Sequence, residues 1–204
     1  FGSEALRENT TASNNTAFGY GALFANTTGH SNVAVGSYAL DVANTNHNTA
    51  IGHEAMTNAT ASECVAVGSR ALKAQTSAAR CTAVGSEAAT AITTGSDTTA
   101  IGRSALAACV TGSSNTALGS KALMNCTGSQ LTAVGHSALE DAVSNLQSTA
   151  VGYNALANAT ASYNTAIGWT ALAACTTGQT NVAVGDAALA TLTTQSNCTA
   201  VGHF

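Results

Sequence analysis

Short apolar segments recur along the whole chain, and each reads Thr or Val, then Ala, then a larger apolar residue, then Gly. β-Branched residues at alternating positions in such short segments are typical of strands rather than helices. Thirteen of these glycines, from Gly2 to Gly202, follow one another at intervals of 16 or 17 residues. The pattern predicts twelve repeats, each with one strand immediately before its glycine, that fill residues 1–204 as a single repeat domain.

Positions within a repeat are numbered from this glycine, so that position −2 lies two residues before it. Position −2 is Ala in all twelve repeats, position +3 is again Ala in all twelve, and position +4 is nearly always Leu. A variable stretch rich in Thr, Asn, Ser and Gly follows, and these residue types favour turns. The Ala-Leu pair fits either a second short strand or one helical turn, and the local sequence does not decide between them.

A repeat of this length buries too little surface to fold alone, whereas stacked repeats share one continuous core. We therefore expect an all-β fold, a parallel β-solenoid of about twelve coils with 16–17 residues each. Strands stacked about 4.8 Å apart would make a rod of roughly 55–60 Å.

Strand alternation places positions −3 and −1 on one face and Ala on the other, and no charged residue lies within these segments. A face that is Ala in all twelve repeats is limited in size, so something packs closely against it. That neighbour is either the opposite wall of the same thin coil or the same strand of another chain. We favour an oligomer in which three thin coils pack around an axis, and a monomeric solenoid with a narrow core is the alternative.

Composition and charge narrow the classes of function. Ala, Thr, Ser, Gly and Asn make up 130 of the 204 residues, and charged residues make up 8%. So few large apolar side chains argue against a thick globular core. A net charge of −4 argues against a nucleic-acid-binding surface. No apolar run approaches the roughly 20 residues of a membrane-spanning helix. We expect neither a nucleic-acid partner nor a membrane span in this segment.

Residues 15–29 read Asn-Thr-Ala-Phe-Gly-Tyr-Gly-Ala-Leu-Phe-Ala-Asn-Thr-Thr-Gly, and residues 48–52 and 164–168 both read Asn-Thr-Ala-Ile-Gly. These segments resemble the head repeats of YadA-like trimeric autotransporter adhesins. They are also similar to the 17-residue version of that repeat in tail fibres of phages and large viruses and in bacterial surface fibres. The resemblance covers all twelve repeats. It implies a left-handed parallel β-roll, an intertwined homotrimer, and a fibre that projects from a cell or virion.

The chain begins and ends in phase with the repeat, at residues 1–2 and 201–204. We therefore expect a segment of a longer fibre, or a filament subunit whose ends stack on neighbouring copies. Such a protein would be extracellular, on the surface of a cell or of a virion.

The six cysteines occupy only two repeat positions: Cys64, Cys81 and Cys198 lie at −4, and Cys109, Cys126 and Cys175 lie at +7. Stacking would place Cys64 beside Cys81, and Cys109 beside Cys126, about 4.8 Å apart at Cα, which is within disulfide range. The interpretation is two disulfides between coils, typical of an oxidising setting outside the cell. Free thiols in the place of other small side chains are the alternative. No metal site and no cofactor is expected, because the chain has no Cys-x-x-Cys and no nearby His pair.

Asparagine is frequent at two places in the repeat. Position −4 is Asn in six repeats, which predicts a ladder of amides along the rod: Asn15, Asn32, Asn48, Asn115, Asn164 and Asn181. Five Asn-x-Ser/Thr sequons share the turn at +6 or +7, and we take them as candidate glycosylation sites on one edge of the rod: Asn9, Asn26, Asn58, Asn125 and Asn158. Plain turn-forming Asn is the alternative there.

No Ser-His-Asp set, phosphate-binding loop with Lys, or carboxylate pair stands out from the repeat, so we expect no enzyme. We expect a structural component of an extracellular or virion fibre that self-associates as a homotrimer, end to end, or both. The sequence leaves open whether it is the shaft or the adhesive head of an adhesin-like fibre, and a head would bind a cell-surface or glycan receptor. The alternative function is an ice-binding β-solenoid, because Thr occupies position −3 in nine of twelve repeats. The column of Thr hydroxyls at position −3 is interrupted by Val33, Val65 and Val182.

Overall fold

The computed structural model describes residues 1–42, 44–143 and 147–203. These ranges hold twelve strands of three residues each and no helix. Every strand ends immediately before a repeat glycine, as the pattern predicts. The strands are β1 (Thr16–Phe18), β2 (Val33–Val35), β3 (Thr49–Ile51), β4 (Val65–Val67), β5 (Thr82–Val84), β6 (Thr99–Ile101), β7 (Thr116–Leu118), β8 (Thr132–Val134), β9 (Thr149–Val151), β10 (Thr165–Ile167), β11 (Val182–Val184) and β12 (Thr199–Val201).

All twelve strands form one parallel sheet in sequence order. Equivalent positions are always paired: Ala117 of β7 lies opposite Ala100 on one side and Ala133 on the other. These two intervals are 17 and 16 residues, so the change in repeat length is absorbed in the turn and leaves the strand register intact. The predicted parallel β-solenoid of stacked coils is confirmed.

The core is a thin continuous column of small side chains with one larger side chain per coil. Ala117 at position −2 is fully buried, and so is Leu123 at position +4 of the same repeat. Their equivalents in the inner coils belong to the same hydrophobic cluster, whereas Leu6 and Leu189 in the terminal coils are only partly buried against it. Since one chain buries these alanines by itself, the restriction to Ala arises within the coil. The Ala face therefore does not require a second chain, and the other face of the sheet is the one that this chain leaves partly exposed.

The chain turns through a backbone conformation that the sequence did not reveal. Positions −5, +2 and +4 have positive φ in the coils, as shown by Ser114 (58°), Lys121 (61°) and Leu123 (53°). This region costs a residue with a side chain about 1–2 kcal/mol. Hydrogen bonds between coils offset that cost: the Lys121 N–H donates to the Arg103 carbonyl of the preceding coil at 2.9 Å, and the Leu123 N–H donates to the Ala138 carbonyl of the following coil at 3.0 Å. The Ala-Leu pair is thus neither a strand nor a helical turn.

The repeat glycine is required by its conformation and by its neighbours. Gly119 has φ of 137°, and a Cβ built on it would lie 2.4 Å from the carbonyl oxygen of Gly135 in the next coil. A side chain would therefore meet rigid backbone, which explains why this position is glycine in every repeat.

Candidate functional site: the outer face of the sheet

The outer face of the sheet consists of the side chains at positions −3 and −1 of all twelve strands. Alternation along each strand turns them away from the buried alanine between them. At position −1, Val84, Ile101 and Leu118 remain 36%, 38% and 45% exposed. At position −3, the Thr and Val side chains are half-buried or exposed. The outer face therefore carries two parallel columns of mostly β-branched residues.

The column at position −1 is apolar in every coil: Phe18, Val35, Ile51, Val67, Val84, Ile101, Leu118, Val134, Val151, Ile167, Val184 and Val201. Neither the −1 column nor the −3 column contains a charged residue. Monomeric soluble proteins rarely expose a contiguous apolar patch larger than a few hundred Å². The side chains of this face are hydroxyl or apolar groups, so the feature that distinguishes it is its exposed apolar area.

The Thr hydroxyls at position −3 form a column along the outer face, which valines interrupt in three of the twelve strands. In the described ranges, none of these nine hydroxyls has a hydrogen-bond partner within the chain: Thr16, Thr49, Thr82, Thr99, Thr116, Thr132, Thr149, Thr165 and Thr199. They are therefore free to bind water or a group from another molecule.

The structure stacks the cysteine pairs on neighbouring coils, with all six cysteines as thiols. Cys109 and Cys126 are fully buried with their Sγ atoms 3.0 Å apart. The hydrogen bond to Cys109, together with burial, raises the pKa of Cys126. The other pair is arranged differently, because the Cys81 N–H donates to Cys64 Sγ at 3.4 Å. Both disulfides stay predictions. The prediction is better supported for Cys109–Cys126, because their Sγ atoms face each other at 3.0 Å.

The asparagines at position −4 form a ladder, but they bond to backbone rather than to one another. Asn115 Oδ1 accepts from the Leu131 N–H at 3.0 Å, and Asn115 Nδ2 donates to the Gly128 carbonyl at 3.0 Å. Both partners belong to the next coil. Each amide therefore ties one coil to the following one, and Cys64 makes the equivalent contact to the Cys81 N–H. The role of this column is structural.

The candidate glycosylation sites do not share one edge of the rod. Asn26 is fully buried, and its Nδ2 donates to the Gly29 carbonyl at 2.9 Å. A glycan on Asn26 would have to occupy the core, so that prediction is wrong. Asn9, also at position +7, is half-buried and donates to the Ala12 carbonyl at 3.2 Å. Of the sequons at position +6, Asn58 and Asn158 are exposed, whereas Asn125 is half-buried and its Nδ2 donates to Asp141 Oδ1 at 2.7 Å.

Two surface features escaped the sequence reasoning. At position +1 the rings of His136, Tyr153 and Trp169 stack on consecutive coils, with centroids 5.3 Å and 6.2 Å apart. Near the first coils a cleft opens beside Gly21, which is the only glycine at position +2. That single departure from the repeat was a signal in the sequence for the cleft.

The part of the chain that the structure describes shows no group of three or more His, Cys, Asp or Glu side chains that could hold a metal ion. The same ranges contain no helix with the length and apolar character needed to cross a bilayer. Comparison with protein-family models, with curated proteins and with solved structures found no match. The resemblance to adhesin head repeats therefore stays a prediction.

Proposed function

We propose that this chain is a structural component of an extracellular or virion fibre and that it self-associates through the outer face of its sheet. The observation that carries the proposal is the apolar column at position −1, which is uncharged and uninterrupted over twelve coils. Covering one such half-exposed side chain contributes about 1 kcal/mol. Summed over the twelve coils of each chain, this free energy of burial is comparable to the free-energy cost of association, which is about 4–15 kcal/mol.

A homotrimer is the arrangement we propose for the lateral contact. Each chain has one outer face, and three chains around an axis bury all three faces while the charged turns stay in water. The resemblance to trimeric adhesin heads supports the same arrangement.

End-to-end contact is a second part of the proposal. Neighbouring coils pair equivalent strands in one parallel sheet, so a coil of another chain that stacks on this one would continue the same ladder. Such a fibre would be adhesive where its flanks carry a site for a cell-surface or glycan receptor.

The experiment compares two pairs of substitutions that add the same charge. Val84→Lys with Leu118→Lys places two ammonium groups on the outer face. Val110→Lys with Val143→Lys places them at exposed valines outside the sheet (46% and 44% exposed). Sedimentation velocity should show the wild type and the second variant well above the 20.0 kDa monomer, and the first variant at the monomer mass. A wild type that stays monomeric at micromolar concentration, or equal assembly of both variants, would contradict the proposal.

Ice binding is the second candidate function, favoured by the rank of unpartnered Thr hydroxyls beside an apolar column. Thermal hysteresis of the wild type, lost on Thr99→Val with Thr132→Val, would establish it. Absence of hysteresis in the wild type rejects it and leaves the fibre proposal intact.

A further inference from the structure

A cleft of about 270 Å³ opens on the flank of the first three coils, at the positions +2 and +5. Its walls include Glu4 and Arg7 from the first coil, Tyr20 and Gly21 from the second, and Tyr38 and Asp41 from the third. Phe24 completes the lining. The cleft lies outside the strands and is separate from the outer face of the sheet.

One wall of the cleft is shaped by a glycine in an otherwise continuous column of side chains. Position +2 carries a side chain in eleven repeats, and Gly21 is the exception. The backbone there has φ of 63°, close to the 56° of Tyr38 at the same position one coil later. The glycine therefore keeps the normal coil geometry, and its lack of a side chain lets the Tyr38 ring pack against it: a Cβ built on Gly21 would lie 3.0 Å from Tyr38 Cδ1.

The walls combine aromatic rings with an ion pair. Tyr20 and Tyr38 meet edge to face with centroids 5.3 Å apart, and they are 49% and 39% exposed. On the other side, the Arg7 guanidinium lies 5.5 Å from the Phe24 ring centre and donates to Glu4 Oε2 at 2.7 Å. The cleft thus already contains a cation, held by an aromatic ring and a carboxylate.

Asp41 supplies an acceptor that no described residue satisfies. Its Oδ1 atom is buried and has no hydrogen-bond partner among those residues. Burial raises the pKa of the Asp41 carboxyl, because the charged form is poorly solvated there. An orphaned buried acceptor is unfavourable, so a ligand hydroxyl towards which the Asp41 carboxylate turns gains a hydrogen bond on binding.

We propose that this cleft binds a saccharide. One face of a sugar ring carries C–H groups that pack on the exposed tyrosine rings, and its hydroxyls provide the donor for Asp41. Other hydroxyls can exchange hydrogen bonds with Arg7 and Glu4 at the rim. A cationic ligand fits less well, because Arg7 already occupies the cation position. The inference rests on the adhesive part of the proposed function, and it names where a glycan receptor would bind.

The test uses the full chain and saturation-transfer NMR with four separate probes: the methyl glycosides of glucose, galactose, mannose and N-acetylglucosamine. At least one should receive saturation on its ring C–H protons. Gly21→Asn should abolish the transfer, because the new side chain would meet the Tyr38 ring and displace it from the wall of the cleft. Asn is compatible with this backbone, since Asn154 already occupies position +2 with φ of 53°. Thr170→Asn, at the same position in a distant coil, is the matched control and should bind as the wild type does.

Asp41→Asn separates a binding role from a folding role. It should weaken the glycoside about tenfold, since a hydrogen bond to a charged group is lost, while thermal stability does not fall. The proposal is overturned if none of the four glycosides receives saturation, if Gly21→Asn leaves the transfer unchanged, or if tetramethylammonium binds in their place. Sedimentation of the same samples reports assembly independently, so a failure of the fibre proposal is visible there and is distinguishable from a failure of sugar binding.

Discussion

The stacking of repeat glycines makes Gly119→Ala the most demanding test of the coil geometry. Alanine adds one methyl group at a position where φ is 137° and where that methyl would lie 2.4 Å from the Gly135 carbonyl oxygen. Both obstacles are backbone, so no side chain can move aside to accommodate the methyl.

Two contributions set the size of the expected effect. A residue with a side chain in this region of φ is strained by about 1–3 kcal/mol. Forcing a methyl into closely packed surroundings costs about another 1–3 kcal/mol. The free energy of unfolding should therefore fall by about 2–6 kcal/mol, a large fraction of what a domain of this size possesses.

Thermal unfolding followed by far-UV circular dichroism measures the effect against two controls. Ser120→Ala changes the neighbouring residue and should shift stability by no more than about 0.5 kcal/mol. Gly202→Ala has φ of 132° with no atom within 4 Å of the added Cβ, so it reports backbone strain without the clash. The expected order of destabilisation is Gly119→Ala, then Gly202→Ala, then Ser120→Ala. If Gly119→Ala unfolds at the same temperature as Ser120→Ala, the coils are not stacked as described.

Three further predictions concern the core, the thiols and the buried carboxyl. Ala117→Leu overfills the fully buried −2 position and should destabilise the solenoid by about 1–3 kcal/mol in urea unfolding. Lys121→Ser changes a half-buried turn residue whose charged end lies at the surface and should be nearly silent. Equal tolerance of the two changes would mean that the Ala face is not packed. Oxidised glutathione should join Cys109 to Cys126, with two protons and two electrons passing to the glutathione disulfide, so peptide mapping should recover that linked pair; mapping that finds both thiols free contradicts it. Asp41→Asn should raise the melting temperature at neutral pH. The folded-state pKa of Asp41 lies above its unfolded value, so the wild type has a stability below about pH 4 that it loses as the pH rises through the folded-state pKa. A difference in melting temperature between variant and wild type that does not shrink in acid would refute this prediction.

The sequence alone determined the repeat, the position of every strand and the stacking of coils into a parallel β-solenoid. The reason is that a period of 16 or 17 residues with alanine invariant at position −2 leaves only one register in which coils can stack. Position −4 was equally informative, since a recurring Asn such as Asn115 predicts a ladder, although its bonds proved to run to the backbone of the next coil.

Only the tertiary structure decided the path of the turn and which turn residues are buried and which are exposed. Leu123 adopts a left-handed conformation because its N–H bonds to Ala138 in the next coil, a contact that no local propensity encodes. A shift of one residue then separates the buried Asn26 from the exposed Asn58, which the sequence had grouped together. The tertiary structure also placed the wall opposite alanine within the coil itself, because Ala117 is buried by its own chain while Leu118, beside it at position −1, stays exposed.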